Sequence, residues 1–186
     1  RLLGSASLDY DITDWFSATA RFGVDTHSDL VKERKNIGSV AQSYYRLTTR
    51  NYEKFNYDLL LKFDKQLSEK ISFSGLLGSS YATTNYHRVE NETNGGLVTA
   101  SLWSLANSTS VAGAASESEW TIRKEGYYAQ ASFGYEDMFF LEGTFRTDIS
   151  SSLPANNNTY YYPSVSASFI FSEVLNTDWL NFGKLR

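Results

Sequence analysis

A strict alternation of apolar and polar side chains is the feature that most constrains how this chain can fold. Apolar or small residues occupy the even positions from Leu2 to Ile12, and polar residues such as Ser7 and Asp9 lie between them. Successive side chains of a β-strand point to opposite faces, so this period of two predicts a strand with one apolar face. The same parity resumes from Phe16 to Val24, which predicts an antiparallel hairpin that reverses near residues 13–15.

The alternation recurs along the rest of the chain. Further strands are predicted over residues 55–63, 71–81, 127–133, 139–145 and 163–171, and an eighth begins near Leu180. In the 127–145 hairpin, placing Phe133 opposite Phe139 brings Lys124 opposite Asp148, an attractive cross-strand pair. The sequence therefore predicts an all-β fold in which about seven to eight strands run antiparallel, up and down, in chain order.

The connections between the predicted strands alternate between short and long. Short turns fall near residues 13–15, 64–70, 135–137 and 172–179, whereas long polar segments cover residues 26–51, 82–122 and 148–161. All short connections thus lie at one end of the strands. An outer-membrane barrel has this asymmetry, and its tilted strands need about 9–11 residues to span the bilayer. The pattern favours a transmembrane barrel segment over a soluble sandwich with Greek-key connections.

Aromatic residues concentrate at the strand ends that carry the short turns. The rings that border these turns are Tyr10, Trp15, Phe16, Tyr135, Phe139, Phe171 and Trp179. Rings that combine an apolar body with a polar handle collect at membrane interfaces, so they predict an interfacial girdle. The opposite, charged face of the strands would then line a water-filled lumen, because charges are costly to bury in a dry interior.

Composition excludes several classes of protein and site. No stretch approaches the roughly 20 consecutive apolar residues of a transmembrane helix. The chain has no cysteine, which excludes disulfides and thiolate metal sites within it, and its net charge of −4 provides no basic field for nucleic acid. We expect no enzymatic activity, no cofactor and no metal. The chain begins at Arg1 without a signal sequence and stops just inside a new apolar segment, so we expect it to be a piece of a longer protein.

Several local strings in the second half of the sequence resemble one known family. They are GYYAQASFGY at 126–135, MFFLEGTFRTD at 138–148, SSSLP at 150–154, YYYPSVSASFIFSE at 160–173, GKLR at 183–186, and LWSLANS at 102–108. In this order and spacing they are similar to the barrel of SusC/RagA-type TonB-dependent transporters. The resemblance is specific from about residue 97 to 186 and a matter of pattern before that. Its motif positions with a structural role are Arg146, Asp148, Pro154, Tyr162 and Pro163.

The resemblance implies a large importer in the outer membrane of a Gram-negative, Bacteroidetes-like cell. Such a barrel has about 22 strands around an internal plug. It would take up oligosaccharides or peptides, draw energy through the TonB complex, and work with a SusD-like surface lipoprotein as its lid. Residues 1–186 would then be part of one TonB-dependent receptor β-barrel domain that crosses the membrane many times, without the signal peptide, TonB box, plug and closing strands.

Five aromatic residues on the predicted long connections are the candidate contacts for substrate or lid. They are Tyr44, Tyr45, Tyr86, Trp103 and Trp120. A flat ring can stack on a sugar while nearby polar groups hold its hydroxyls. The alternative is that these rings pack the loops against one another.

Other polar residues carry weaker hypotheses. His27 and His87 are placed on long connections, and combining His27 with Asp25 and Ser28 into a hydrolytic triad would rest on proximity in sequence alone. The basic cluster at residues 32–35 is predicted to be a solvated loop or a contact for anionic headgroups.

The sequence pattern is also compatible with two other functions. The chain could form a complete small barrel of eight strands, acting as an outer-membrane enzyme or adhesin. It could also fold as a soluble β-sandwich that binds carbohydrate.

Overall fold

The structure is a computed structural model that describes residues 1–173 and 182–186. Its ten strands are β1 Leu2–Thr13, β2 Phe16–Lys35, β3 Tyr44–Ser68, β4 Ile71–Glu92, β5 Asn94–Leu97, β6 Ser108–Ser110, β7 Ser116–Tyr135, β8 Phe139–Ser150, β9 Thr159–Ile170 and β10 Lys184–Leu185. Two short 3₁₀ turns occupy Ala155–Asn157 and Phe171–Glu173. No helix in the described ranges is long and apolar enough to cross a membrane.

Eight of the strands form one sheet in the order β1-β2-β3-β4-β7-β8-β9-β10, while β5 and β6 pair separately. Apart from the inserted β5–β6 pair, every strand neighbours the strands next to it in the chain. The all-β, antiparallel, up-and-down arrangement of a barrel segment is therefore confirmed. The expected start of the eighth strand, Leu180, lies outside the described residues, and β10 pairs with β9 through Lys184 and Ile170.

The strands are longer than the sequence predicts. β2 continues to Lys35, β3 already begins at Tyr44, and β4 continues to Glu92. The apolar–polar alternation fades in these extensions, but polar cross-strand bonds replace it: Ser28 Oγ donates to Asn51 at 2.7 Å. The placement of His27, His87 and residues 32–35 on loops is therefore wrong, because all of them lie on strands.

The turn between β3 and β4 is also tighter than expected, because residues 69 and 70 alone connect the two strands. A short 3₁₀ turn, Phe171–Glu173, follows β9. The predicted strand over 163–171 thus ends one residue early, while Trp179 of the predicted girdle lies outside the described residues. The last long connection is confined to residues 151–158.

The predicted register of the β7–β8 hairpin is wrong by two residues. Tyr135 lies opposite Phe139 and Phe133 opposite Leu141, and Lys124 faces Ser150 rather than Asp148. The reversal is confined to residues 136–138, with backbone φ angles of 50° at Glu136 and 55° at Asp137. A slip of two residues keeps every side chain on its own face, so the alternation alone could not distinguish the two registers.

The described residues divide into two compact units, of which the second comprises Ser5–Gly23, Asn56–Ala82 and Arg123–Arg186. Its apolar side chains lie on one face and pair as rings across neighbouring strands. Phe16 stacks on Phe63 with centroids 4.7 Å apart, and Phe139 stacks on Phe169 at 4.3 Å. Most of these large apolar side chains are exposed, and Leu60 is the one hydrophobic residue that is buried among those described in this unit. The apolar face is therefore uncovered.

The first unit comprises Arg1–Gly4, Val24–Phe55 and Thr83–Ile122. Its buried hydrophobic residues, within the described part of the chain, are Tyr45 and Leu97, which lie among buried Thr48, Thr93 and Asn107. Polar side chains thus make up most of its interior, and hydrogen bonds rather than apolar packing hold it together.

The β7–β8 register can be tested by cross-linking in the full-length protein. We expect oxidation to close a disulfide between Ser132→Cys and Glu142→Cys, because these positions lie directly opposite each other. The pair Ser132→Cys and Phe140→Cys would be opposite in the register that the sequence predicts, but is diagonal and about 7–8 Å apart in the observed one. Loss of free thiols, counted by maleimide labelling, should be large for the first pair and small for the second. The reverse order would contradict the register.

Candidate functional site

The main polar cluster of the first unit is built around Arg46 of β3. Its Nη2 lies 2.7 Å from Glu92 Oε2, its Nη1 donates to Glu33 Oε2 at 3.0 Å, and its Nε lies 3.8 Å from Glu90 Oε1. The hydrogen bonds to Glu92 and Glu33 raise the pKa of Arg46 above its usual range. The guanidinium also lies 5.3 Å from the ring centroid of Tyr44, so one arginine contacts three carboxylates and a ring.

Glu90 of β4 links this cluster to its neighbours. It accepts a hydrogen bond from Thr48 Oγ1 at 3.0 Å and a further one from Arg88. Burial acts to raise the pKa of Glu90, but the Thr48 hydroxyl and the positive charges of Arg88 and Arg46 outweigh it, and the pKa is lowered. The carboxylate is therefore ionised at neutral pH and serves as a fixed acceptor.

The segment that contains β5 and β6 folds over the start of β3. Asn107 anchors it: its side-chain amide donates to the carbonyls of Thr99 at 2.8 Å and Leu102 at 2.7 Å, and its carbonyl accepts from Thr99 N at 2.9 Å. Leu97 N donates to Ser43 Oγ at 3.0 Å. This set of bonds satisfies backbone groups that a strand ladder would otherwise pair.

The candidate contact residues fall into different environments. Tyr45 is buried, and its ring centroid lies 6.4 Å from that of Trp103, whose ring also faces Arg34 at 5.8 Å. These two rings pack the segment against β3, as the alternative hypothesis proposed. Tyr44 lies on β3, where it contacts Arg46 and Lys35, so its predicted place on a loop is wrong.

Tyr86 and Trp120 are also on strands, β4 and β7, rather than on loops. Their rings stack with centroids 5.1 Å apart, and Trp120 is 41% exposed. A second stack, between His27 of β2 and Tyr52 of β3, has centroids 4.8 Å apart. The sequence pattern did not identify Tyr52, since the predicted strand begins only at residue 55. Tyr52 lies on the polar face of β3, out of phase with the apolar residues from Phe55 onwards, so the alternation could not have found it.

No reactive constellation is formed by the described residues. His87 Nε2 lies 2.7 Å from Glu117 Oε1, an exposed pair without a nucleophile, and His27 stacks on Tyr52 rather than bonding Ser28. Across residues 1–173 and 182–186, no three His, Asp or Glu side chains converge in a way that could hold a metal ion.

The family-motif residues of the second unit form a network around Tyr128 of β7. Arg146 Nε donates to Asp148 Oδ1 at 2.9 Å, and the guanidinium lies 5.6 Å from the Tyr128 ring centroid. Gly78 makes room for that ring, because a Cβ there would lie 2.2 Å from it. A Cβ at Gly126 would likewise lie 2.9 Å from Asp148 Oδ1. The two glycines therefore let the charged pair and the ring lie flat on the sheet.

The remaining motif positions lie close to this network. Tyr162 is opposite Arg146 and Pro163 is opposite Phe145 in the β8–β9 ladder. The carbonyl of Pro154 accepts a hydrogen bond from Asn157 N at 2.8 Å, which closes the short 3₁₀ turn between the two strands. A shallow depression of about 700 Å³ beside them is lined by Arg146, Asp148, Tyr160 and Tyr162 among others.

Several solved structures have the same fold. The structure of the RagAB peptide transporter matches with a TM-score of 0.81 and 13% sequence identity, covering 92% of this chain and 20% of that chain. The RagAB peptide importer in the open-open and closed-closed states matches with TM-scores of 0.75 and 0.76, each at 14% identity over 97% of this chain and 21% of the other. No family model and no curated protein matches the sequence.

These likenesses concern the fold. The chain spans about a fifth of the length of the transporter chains that it matches. The barrel-wall fold implied by the resemblance of residues 97–186 is thereby confirmed, and it extends over the N-terminal strands, where the sequence offered only a pattern.

The close approach of Tyr128 to Gly78 predicts a stability difference between two glycines. Gly78→Ala should lower the free energy of unfolding by about 1–3 kcal/mol, since the added methyl group must displace the ring. Gly143→Ala is the matched control, because nothing lies within 4 Å of a Cβ there. Denaturant unfolding of the full-length protein in detergent would measure both. Removing the ring with Tyr128→Ala should abolish most of the difference, and equal effects at the two glycines would contradict this packing.

The lowered pKa of Glu90 predicts that acid weakens the first unit. A carboxylate whose folded pKa lies below its ordinary value of 4.5 stabilises the fold at higher pH, and this stabilisation is lost as the pH falls through the folded value. The denaturation midpoint of the full-length protein should therefore fall less between about pH 5 and pH 3 in Glu90→Gln than in the wild type. Glu119→Gln is the control, because Glu119 forms no ion pair with a described residue. Identical pH profiles for wild type and Glu90→Gln would contradict the assignment.

Proposed function

We propose that this chain is part of the wall of an outer-membrane importer that carries oligosaccharides or peptides through a wet lumen. The uncovered apolar face of the second unit is the observation that carries the proposal. Leu141, Phe145 and Val165 are exposed on this face, with Leu141 53% exposed. The intervening side chains Glu142, Arg146 and Ser164 occupy the opposite face of the same strands. An apolar face of this size is stable only against another apolar medium, and lipid supplies one.

Strand length supports the same conclusion. β8 and β9 contain 12 residues each, enough for the 9–11 that a tilted membrane strand needs. β2, β3 and β4 are longer, at 20 to 25 residues, and their additional residues are mostly polar. Those polar extensions would project beyond the bilayer on the side away from the short turns, where an importer first meets its substrate.

The partners follow from the resemblance and are part of the proposal. A SusD-like lipoprotein would contact the long ends of the strands, and the TonB complex would supply energy through parts of the protein outside these residues. The RagAB structures are described as a peptide transporter, which is consistent with an importer. No chemistry is assigned to the chain: it would bind and guide its substrate without transforming it.

The two other functions fit the structure less well. A soluble sandwich requires a second sheet against the apolar face, whereas the described residues form one large sheet and a two-stranded pair. A complete eight-stranded barrel requires β1 to pair with the last strand, whereas in the described residues β1 and β10 stand at opposite ends of the strand order.

Cysteine accessibility tests the two-faced wall, and residues 1–186 contain no native cysteine. In outer membranes that contain the full-length protein, a charged maleimide should label Glu142→Cys and Ser166→Cys. It should leave Leu141→Cys and Ala167→Cys unlabelled, because their side chains face lipid, while a lipid-soluble maleimide labels these two. A bimane label at Leu141→Cys should also be quenched by brominated lipid. Equal labelling of the adjacent positions by the charged reagent would overturn the proposal.

A further inference from the structure

The two ring stacks of the first unit lie in one row across four strands. Thr48 bonds to Glu90 and Arg46 to Glu92 across β3 and β4, which fixes the register of these strands. Four residues further along β3 and four back along β4, this register places Tyr52 opposite Tyr86. His27 contacts Tyr52 from β2, and Trp120 contacts Tyr86 from β7. The row is therefore His27, Tyr52, Tyr86 and Trp120, on β2, β3, β4 and β7.

The middle of the row offers two aromatic faces with no ring against them. Tyr52 stacks on the β2 side at an interplanar angle of 26°, and Tyr86 stacks on the β7 side at 20°. One face of each tyrosine ring is therefore covered by the ring of its outer neighbour. Both tyrosines are partly exposed, and no ring of a described residue stacks on their other faces, on either side of the β3–β4 boundary.

Polar side chains border the two tyrosines along the strands. Arg50 and Arg88 lie one step towards the long ends, and Lys54 and Thr84 lie one step towards the short turns, all on the same face by strand alternation. Arg88 is held by Glu90, whereas Arg50 and Lys54 form no ion pair with a described carboxylate. Donors therefore flank the tyrosine pair on both sides, and the charge of Lys54 also acts on Asp25.

We infer that Tyr52 and Tyr86, backed by His27 and Trp120, form a stacking site for a sugar ring of an oligosaccharide, a specificity that rests on the function proposed above. A pyranose has an apolar C–H face that matches a flat ring, and a rim of hydroxyls that Arg50 and Lys54 can reach from either side. The hydroxyl groups of the tyrosines add further polar partners at the edge of the row.

A peptide fits this surface less well. One way in which extended peptides gain affinity is by adding a strand to a free sheet edge, where unpaired backbone groups are available. β3 and β4 are interior strands of the sheet, so their backbone groups are already used by their neighbours. The row therefore presents side chains alone, and its flat rings with flanking donors suit a sugar better than a main chain.

The test is binding of labelled probes to the purified full-length protein in detergent. The probes are an array of neutral, uronate-bearing and sulfated oligosaccharides, and beside it an array of random hexapeptides. We expect the wild type to retain at least one oligosaccharide, and Tyr52→Ala and Tyr86→Ala each to weaken that binding about tenfold or more, as loss of a stacking face of roughly 1.4 kcal/mol would. Tyr52→Phe and Tyr86→Phe keep the ring and should retain most of the affinity. Tyr127→Ala, on the opposite face of β7, should leave it unchanged.

Three outcomes would overturn this inference. They are a wild type that binds hexapeptides and no oligosaccharide, a wild type that binds neither, and an oligosaccharide affinity that does not change in the alanine variants. Folding of each variant is checked by its heat-modifiable migration on a gel. The importer function itself is tested separately by the cysteine labelling. If the labelling shows two different faces and no sugar binds, the stacking site is refuted but the importer function is not.

Discussion

The backbone ladder of a single antiparallel sheet is the constraint on which the rest of the structure depends. Because each strand pairs with its neighbours in chain order, backbone hydrogen bonds are satisfied within the sheet and the two faces are free to meet different media. In the second unit one face carries rings such as Phe133 and Phe139, and the other carries the Arg146–Asp148 pair. The small number of buried apolar residues follows directly, because a sheet of this kind is stabilised by its surroundings more than by a core of its own.

Where the apolar alternation ends, side-chain hydrogen bonds hold the strands in register. Arg46 joins Glu33 of β2 to Glu92 of β4 across β3, so one side chain links three strands. Asn107 then fastens the covering segment, and Tyr45 fills the space beneath it. Each bond in water contributes little by itself, but the cluster shares acceptors and donors, so that its members hold one another in place.

The sequence predicts the parts of this fold that the apolar pattern encodes, and little beyond them. Strand alternation identified the faces and the order of the strands, because apolar and polar residues alternate there with the side-chain period of a strand. It could not set the β7–β8 register, since a shift of two residues leaves every side chain on its own face, and it did not extend to Tyr44, Tyr52 or Trp120, where the alternation fades. Among the candidate contact residues, composition identified the rings but not their roles: Tyr45 and Trp103 are packing residues, whereas Tyr86 belongs to an accessible stack.

The distribution of charge separates the groups that build the wall from those that can meet a ligand. Arg46 is shared among three glutamates and Arg146 is paired with Asp148, so these side chains hold one another within the wall. Arg50 and Lys54 are in no ion pair with a described carboxylate, and Tyr52 and Tyr86 are partly exposed. Under the function proposed above, such a wall would hold a substrate by stacking and by easily exchanged hydrogen bonds, and weak, repeated contacts would let a large molecule be released again as it moves through the lumen.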